Sequence, residues 1–219
     1  MSNLRYFFVL VFALSIITIG CGQSQSVSNK DFASFDANPE GYPFSVREPE
    51  KYSCQVVQTA GDITNTIFLA RSGEKWRMDV KYGSDDQVSR IRNGNEILVN
   101  YKNKSYFEVP PGNGTVTPPG SIDMLFRGMI GGDNKAKFEK VSTDAGISKF
   151  QVKYSKDTTS EVFIYIDDAN GMPIKQEFFA VEGEGKRSVM TIEVRDLKLE
   201  PADDLFAIPS GFSNAKTPN

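Results

Sequence analysis

The chain has 219 residues, 39% of them hydrophobic and 24% charged, which is enough apolar material for one domain of ordinary size without disulfide staples. A net charge of −3, with no segment that gathers Lys and Arg, excludes the electrostatic footprint of a nucleic-acid-binding protein. Histidine is absent, which excludes His-dependent hydrolytic triads, His-based zinc sites and the side chain most used for proton transfer near neutral pH.

At the N-terminus a single charge, Arg5, precedes an apolar run from Tyr6 to Ile19 and then Gly20-Cys21, the layout of a secretory signal. The run is about 14 residues, short of the roughly 20 that a spanning helix needs. Thr18-Ile19-Gly20-Cys21 resembles the lipobox of bacterial lipoproteins, with Thr18 where Leu is usual. That resemblance implies removal of residues 1–20 as a signal peptide and a diacylglycerol on the Cys21 thiol, often with a further palmitate-like chain on the new amino terminus. Several acyl chains hold a protein to a bilayer far more firmly than one. Loss of Arg5 takes the net charge from −3 to −4. Gly22 stands where enteric lipoproteins kept at the inner membrane carry Asp, which points to the outer membrane, facing the periplasm.

Residues 21–45 read as the lipidated cysteine and a flexible tether, because Gly22 to Asn29 is polar and without periodicity. The folded domain is expected over 46–215. With Cys21 modified, Cys54 has no partner, and its place on the apolar side of Tyr52-Ser53-Cys54-Gln55-Val56 predicts a packed, unreactive thiol.

From Lys51 onward period-two alternation dominates, as in Trp76-Arg77-Met78-Asp79-Val80-Lys81-Tyr82 and Met190-Thr191-Ile192-Glu193-Val194-Arg195. Between Arg90 and Val109 two short turns, Arg92 to Asn95 and Lys102 to Lys104, predict a meander. Further strands are expected at about 137–143, 147–155, 160–167, 173–181 and 187–198, with turns at Asp168 to Gly171 and Glu182 to Gly185. About ten antiparallel strands result, and the lack of helix–strand alternation excludes a doubly wound nucleotide fold. One stretch breaks the pattern: after Pro118-Pro119-Gly120, Ser121 caps a short helix that puts Ile122, Leu125, Phe126 and Met129 on one apolar side.

Little in the chain points to chemistry. No Ser-x-x-Lys motif has a fitting context, and the carboxylates sit in turns or on polar strand faces, so neither an enzyme nor a cofactor is expected. Asp167 to Gly171 opens like a calcium loop but lacks the downstream Glu and flanking helices, and reads as a hairpin turn; no metal site is expected. Asn103-Lys104-Ser105 and Asn113-Gly114-Thr115 match the glycosylation triplet but read as turns in a bacterial chain.

Taken in order, the wide sheet, the phrase Ile91 to Tyr101, the proline-rich break with its helix, Asn170 to Lys175 and the closing Asp204 to Phe212 resemble the periplasmic lipoprotein-carrier (LolA/LolB-like) superfamily over about residues 46–213. The resemblance implies a mainly β fold: an incomplete, half β-barrel wrapped around one or two short helices, holding an acyl chain or similar apolar group. It also makes Ile122, Leu125, Phe126 and Met129 gate candidates, though core filling is the simpler reading of Leu125, Phe126 and Met129. Candidate cavity liners on the apolar sheet face are Trp76, Met78, Val80, Ile97, Val99, Tyr101, Phe163, Tyr165, Met190 and Ile192, with the run Val162 to Ile166 apolar on both phases. The expected function is a membrane-anchored lipoprotein that binds a lipid or lipoprotein cargo as receptor, acceptor or sensor. The alternative is a filled barrel that binds an envelope protein partner and no lipid. No nucleic acid is expected as a partner.

Overall fold

The computed structural model describes residues 42–44, 48–110, 122, 126, 136–154, 159–183 and 185–215. The expectations for the signal segment and Cys21 lie outside these residues, as do those for Leu125, Met129 and residues 21–41 of the tether; at the tether's far end Phe44 is buried in the core cluster, with Tyr42 packed against it.

The alternating stretches form strands. The first six are β1 (Lys51–Ala60), β2 (Ile63–Ser72), β3 (Lys75–Val80), β4 (Val88–Asn93), β5 (Asn95–Asn100) and β6 (Ser105–Glu108). The remainder are β7 (Lys137–Asp144), β8 (Ile147–Lys153), β9 (Ser160–Asp167), β10 (Met172–Glu182), β11 (Gly185–Lys198) and the two-residue β12 (Ser213–Asn214). Among the described residues these twelve strands join one sheet in the order β12-β6-β5-β4-β3-β2-β1-β11-β10-β9-β8-β7. Strands β1 to β6 make one meander and β7 to β11 a second, and the two meet where β1 pairs antiparallel with β11. The short β12 runs parallel to β6. With β12 and β7 as its two edges the sheet is open, as an incomplete barrel is. The count exceeds the expected ten partly because a strand as short as β12 has no period to read.

Local chemistry sets the joints. Gly94, at φ 81°, turns β4 into β5, and the pair Ala145 and Gly146, at φ 48° and 78°, turns β7 into β8 with the left-handed backbone that tight hairpins require. Pro173 cannot donate to a ladder, and it sits beside the register shift between Pro173 and Lys175, where β10 can carry it.

The register divides the sheet into two faces. On the core face, Tyr52, Cys54 and Val56 of β1, Leu69 of β2, Val152 of β8, Val162, Ile164 and Ile166 of β9, Met172 of β10 and Ile192 of β11 form one buried apolar cluster. Phe44 joins it, as do Ile122 and Phe126, both helical. Burial of a large apolar side chain stabilises by about 1.5–3 kcal/mol, so this cluster is the main source of cohesion. On the opposite face, a 3-10 turn at Asp203–Phe206 packs against β3 and β4 and buries Phe206.

Candidate ligand-binding face

Cross-strand pairing decides which candidate liners share a surface. Met78 pairs with Leu69, which puts Trp76, Met78 and Val80 on the core face; Ile192 belongs to the core cluster and Met190 keeps its phase. Ile97 and Val99 pair with Ile91 and Ser89, across from Arg77 and Asp79, so with Tyr101 they lie on the opposite face. Phe163 and Tyr165 alternate with the buried Val162, Ile164 and Ile166, and they too point away from the core. The ten residues therefore divide between two surfaces and cannot line a single cavity. Of the gate candidates among the described residues, Ile122 is 1% and Phe126 0% exposed within the core cluster, where they pack as core side chains.

The core face holds one feature that the apolar pattern does not explain. Gln176 of β10 is 0% exposed, and neither its Oε1 nor its Nε2 has a hydrogen-bond partner. Its cross-strand partners are Ile164 on β9 and Ile192 on β11, both buried in the cluster, so the carboxamide is directed among apolar side chains. A buried polar group left unpaired costs about 1–3 kcal/mol, and Leu or Met would fill the same position without that penalty. The sequence signal is a lone polar residue in the phase of Ile174 and Phe178, beside Lys175 and Glu177 on the other phase. Alternation alone does not single it out. Trp76 carries a second orphan, its Nε1, while its ring lies under the Arg90 guanidinium at 5.6 Å. Arg90 is held in turn by Glu96.

Toward one end of the core face, the Tyr52 hydroxyl donates to Glu48 at 3.3 Å and Arg71 bonds the same carboxylate at 3.2 Å. Burial, with Glu48 as a second cause, pushes the Cys54 thiol up to about 12. A thiol so held is a poor nucleophile near neutral pH.

On the opposite face the polar groups satisfy one another. Arg77 bonds Asp79 at 2.8 Å, the Tyr101 hydroxyl at 2.8 Å and the Leu205 carbonyl at 3.0 Å. Gln87 donates to the other oxygen of Asp79 at 3.1 Å and accepts from the Gly83 amide at 2.9 Å. The network ties β3, the residue after β5 and the loop before β4 to the closing segment. Further along this face Lys149 lies 4.2 Å from the Phe163 ring and 5.0 Å from that of Tyr165. The Tyr165 hydroxyl donates to Glu177 at 2.6 Å. Burial opposes the Glu177 carboxylate, but Lys175 and the Tyr165 hydroxyl outweigh it and hold the group below its usual value. These are satisfied surface arrangements, with no nucleophile poised beside a base. Among the described residues no group of acidic or thiol side chains is arranged to hold a metal ion. No helix among them is long and apolar enough to cross a membrane.

No family profile matches the chain, and no curated protein matches it in sequence. Among solved structures, an uncharacterized conserved protein from Thermus thermophilus is similar at 10% identity and a TM-score of 0.42, over 76% of this chain and 90% of that one. The MucA/MucB complex from Pseudomonas aeruginosa is similar at 13% identity and a TM-score of 0.46, over 73% of this chain and 56% of the matched one, so the chain spans little more than half of that neighbour. A LolA superfamily protein from Nitrosomonas europaea is similar at 13% identity and a TM-score of 0.25, over 74% and 92%. Scores this low mark loose likenesses of fold.

Proposed function

We propose that this chain is a non-enzymatic lipoprotein of the bacterial envelope that receives an acyl chain, of a free lipid or of a lipid-modified protein, on the core face of its sheet. The observation that carries the reading is the continuity of that face: one apolar surface runs from β2 through β1, β11, β10 and β9 to β8, covered by Ile122 and Phe126. An acyl chain offers area and dispersion contacts and no hydrogen bonds, which is what such a surface can match. The lipobox-like Thr18 to Cys21 would hold the domain to a membrane, and Gly22 favours the outer membrane. An anchored protein cannot shuttle across the periplasm, so the role is that of a local receptor, acceptor or sensor.

A second reading draws on Ile122 and Phe126, whose near-complete burial suits a filled core and an envelope protein partner in place of a lipid. Native mass spectra separate the two. A form starting near Asn29 keeps every buried residue described, since these run from Phe44 to Phe206. The acyl-chain reading expects extractable lipid or uptake of a fluorescent fatty acid. A folded protein that carries no lipid and takes up no probe selects the filled-core reading.

A further inference from the structure

The proposed acyl-chain site leaves open which end of the chain enters and what head group it bears, and the orphaned carboxamide on β10, if that site exists, narrows both. We propose that Gln176 is a head-group subsite, and that the ligand is a fatty acid bound as the un-ionised carboxylic acid with its head directed inward against β10.

The chemistry of the position selects the ligand. A carboxamide presents an acceptor oxygen and an N–H donor side by side, and both are buried and unpartnered here. One group satisfies the two together only if it also presents a donor next to an acceptor. An un-ionised carboxyl does so. An ester offers acceptors alone, and would answer Nε2 while leaving Oε1 stranded in the apolar cluster. An ionised carboxylate has the same defect, and among the described residues the sheet neighbours of Gln176 offer no charge to neutralise it: its cross-strand partners are Ile164 and Ile192, while Lys175 and Glu177 lie on the opposite phase of β10. Burial in apolar surroundings itself keeps a carboxyl protonated. A chain already esterified to a protein or glycerol would have to enter methyl end first, and would gain nothing from Gln176.

The test is competition against one photoreactive alkyl probe, cross-linked to the whole chain in detergent micelles at mildly acidic pH. The competitors are hexadecanoic acid, hexadecanamide and methyl hexadecanoate, run on the parent protein and on Gln176→Met. Partition into micelles is common to both proteins and cancels in the comparison. In the parent, acid and amide should compete better than the ester; in Gln176→Met acid and amide should weaken by about tenfold, as expected for the loss of two hydrogen bonds, and the ester by less, so that the preference is lost. The midpoint of thermal unfolding of unliganded Gln176→Met should hold or rise, because an unpaired carboxamide has been removed.

An equal ester-to-acid ratio in both proteins overturns the Gln176 assignment and leaves acyl binding standing. Failure of every competitor to displace the probe, or of the probe to cross-link at all, removes the acyl-chain reading and this inference with it. A lowered unfolding midpoint together with an unchanged ligand ratio makes Gln176 a structural residue and likewise overturns the proposal.

Discussion

Two buried residues show how one position can set stability. Asp79 is 0% exposed and joins Arg77 and Gln87 in a network where each polar atom depends on the next. Asp79→Ala takes the counter-charge from a guanidinium left with neutral partners, the Tyr101 hydroxyl and the Leu205 carbonyl, and takes an acceptor from the Gln87 amide; removal of one partner from a buried ion pair costs about 3–5 kcal/mol. Urea unfolding should report a loss of that size; a change within the scatter of surface substitutions would mean that water replaces the carboxylate. Cys54 gives a pH signature. Its thiol is raised from 9.0 to about 12, by burial first and Glu48 second, so between those values the unfolded chain ionises there while the folded one does not. The unfolded state then binds fewer protons, and stability falls as pH rises through the window, by at most about 1.4 kcal/mol per unit. Tyr52, pushed up by burial and by Glu48, adds a loss of its own at higher pH. The measurement is therefore the pH slope of stability in parent and in Cys54→Ala, expected to fall more steeply in the parent from about pH 9 upward; parallel slopes would show a thiol in contact with solvent.

At the scale of elements, the closing segment carries more than its lack of regular structure implies. Phe206 is 1% exposed against β3 and β4, and Arg77 grips the neighbouring Leu205 carbonyl. Phe206→Ala is expected to cost about 3–5 kcal/mol, the range for a large aromatic removed from a core, with the loss read by chemical denaturation. A loss below about 1 kcal/mol would place this turn among dispensable loop residues. The strands themselves were legible. The turns at Asp168 to Gly171 and Glu182 to Gly185 carry the residue types such turns require, and β7 to β11 fall within a few residues of their expected bounds. Face membership was not legible across strands. Alternation separates Met78 from Arg77, but only the pairing of Met78 with Arg90 puts Ile91 and Ile97 on the other side, and that register depends on the loop between β3 and β4. In Val162 to Ile166 every position is apolar, so pairing with β10 alone chooses the face. Gln176 was not legible either, because a single polar residue in an apolar phase reads as noise until its burial and missing partners are known.

At the scale of the whole sheet, the two meanders are joined at β1 and β11, so cohesion of the domain should be greatest there and least at the edges. Strand β1 pairs along its length with β2 and also with β11, and its side chains Tyr52, Cys54 and Val56 are core. Strand β7 has a partner on one side only, β8, and most of its residues are exposed, including Val141 at a register shift. Opening an edge strand sacrifices one ladder and little apolar burial, whereas opening β1 sacrifices two ladders and the centre of the core cluster. Native-state hydrogen exchange should therefore find the slowest amides in Cys54 to Val57 and Ile192 to Val194, exchanging only with global unfolding. Those of β7 and β12 should exchange by local opening, several orders of magnitude faster. The denaturant dependence is the sharper part of the measurement. If the β1–β11 pairing makes the sheet one cooperative unit, the slow amides of both meanders merge into a single isotherm. Two separate isotherms, one for β1 to β6 and one for β7 to β11, would mean that each meander holds itself together and that the core face is shared by two independently opening halves. An acyl chain seated across β1 and β11 would in that case stabilise both halves at once, and its addition should draw the two isotherms together.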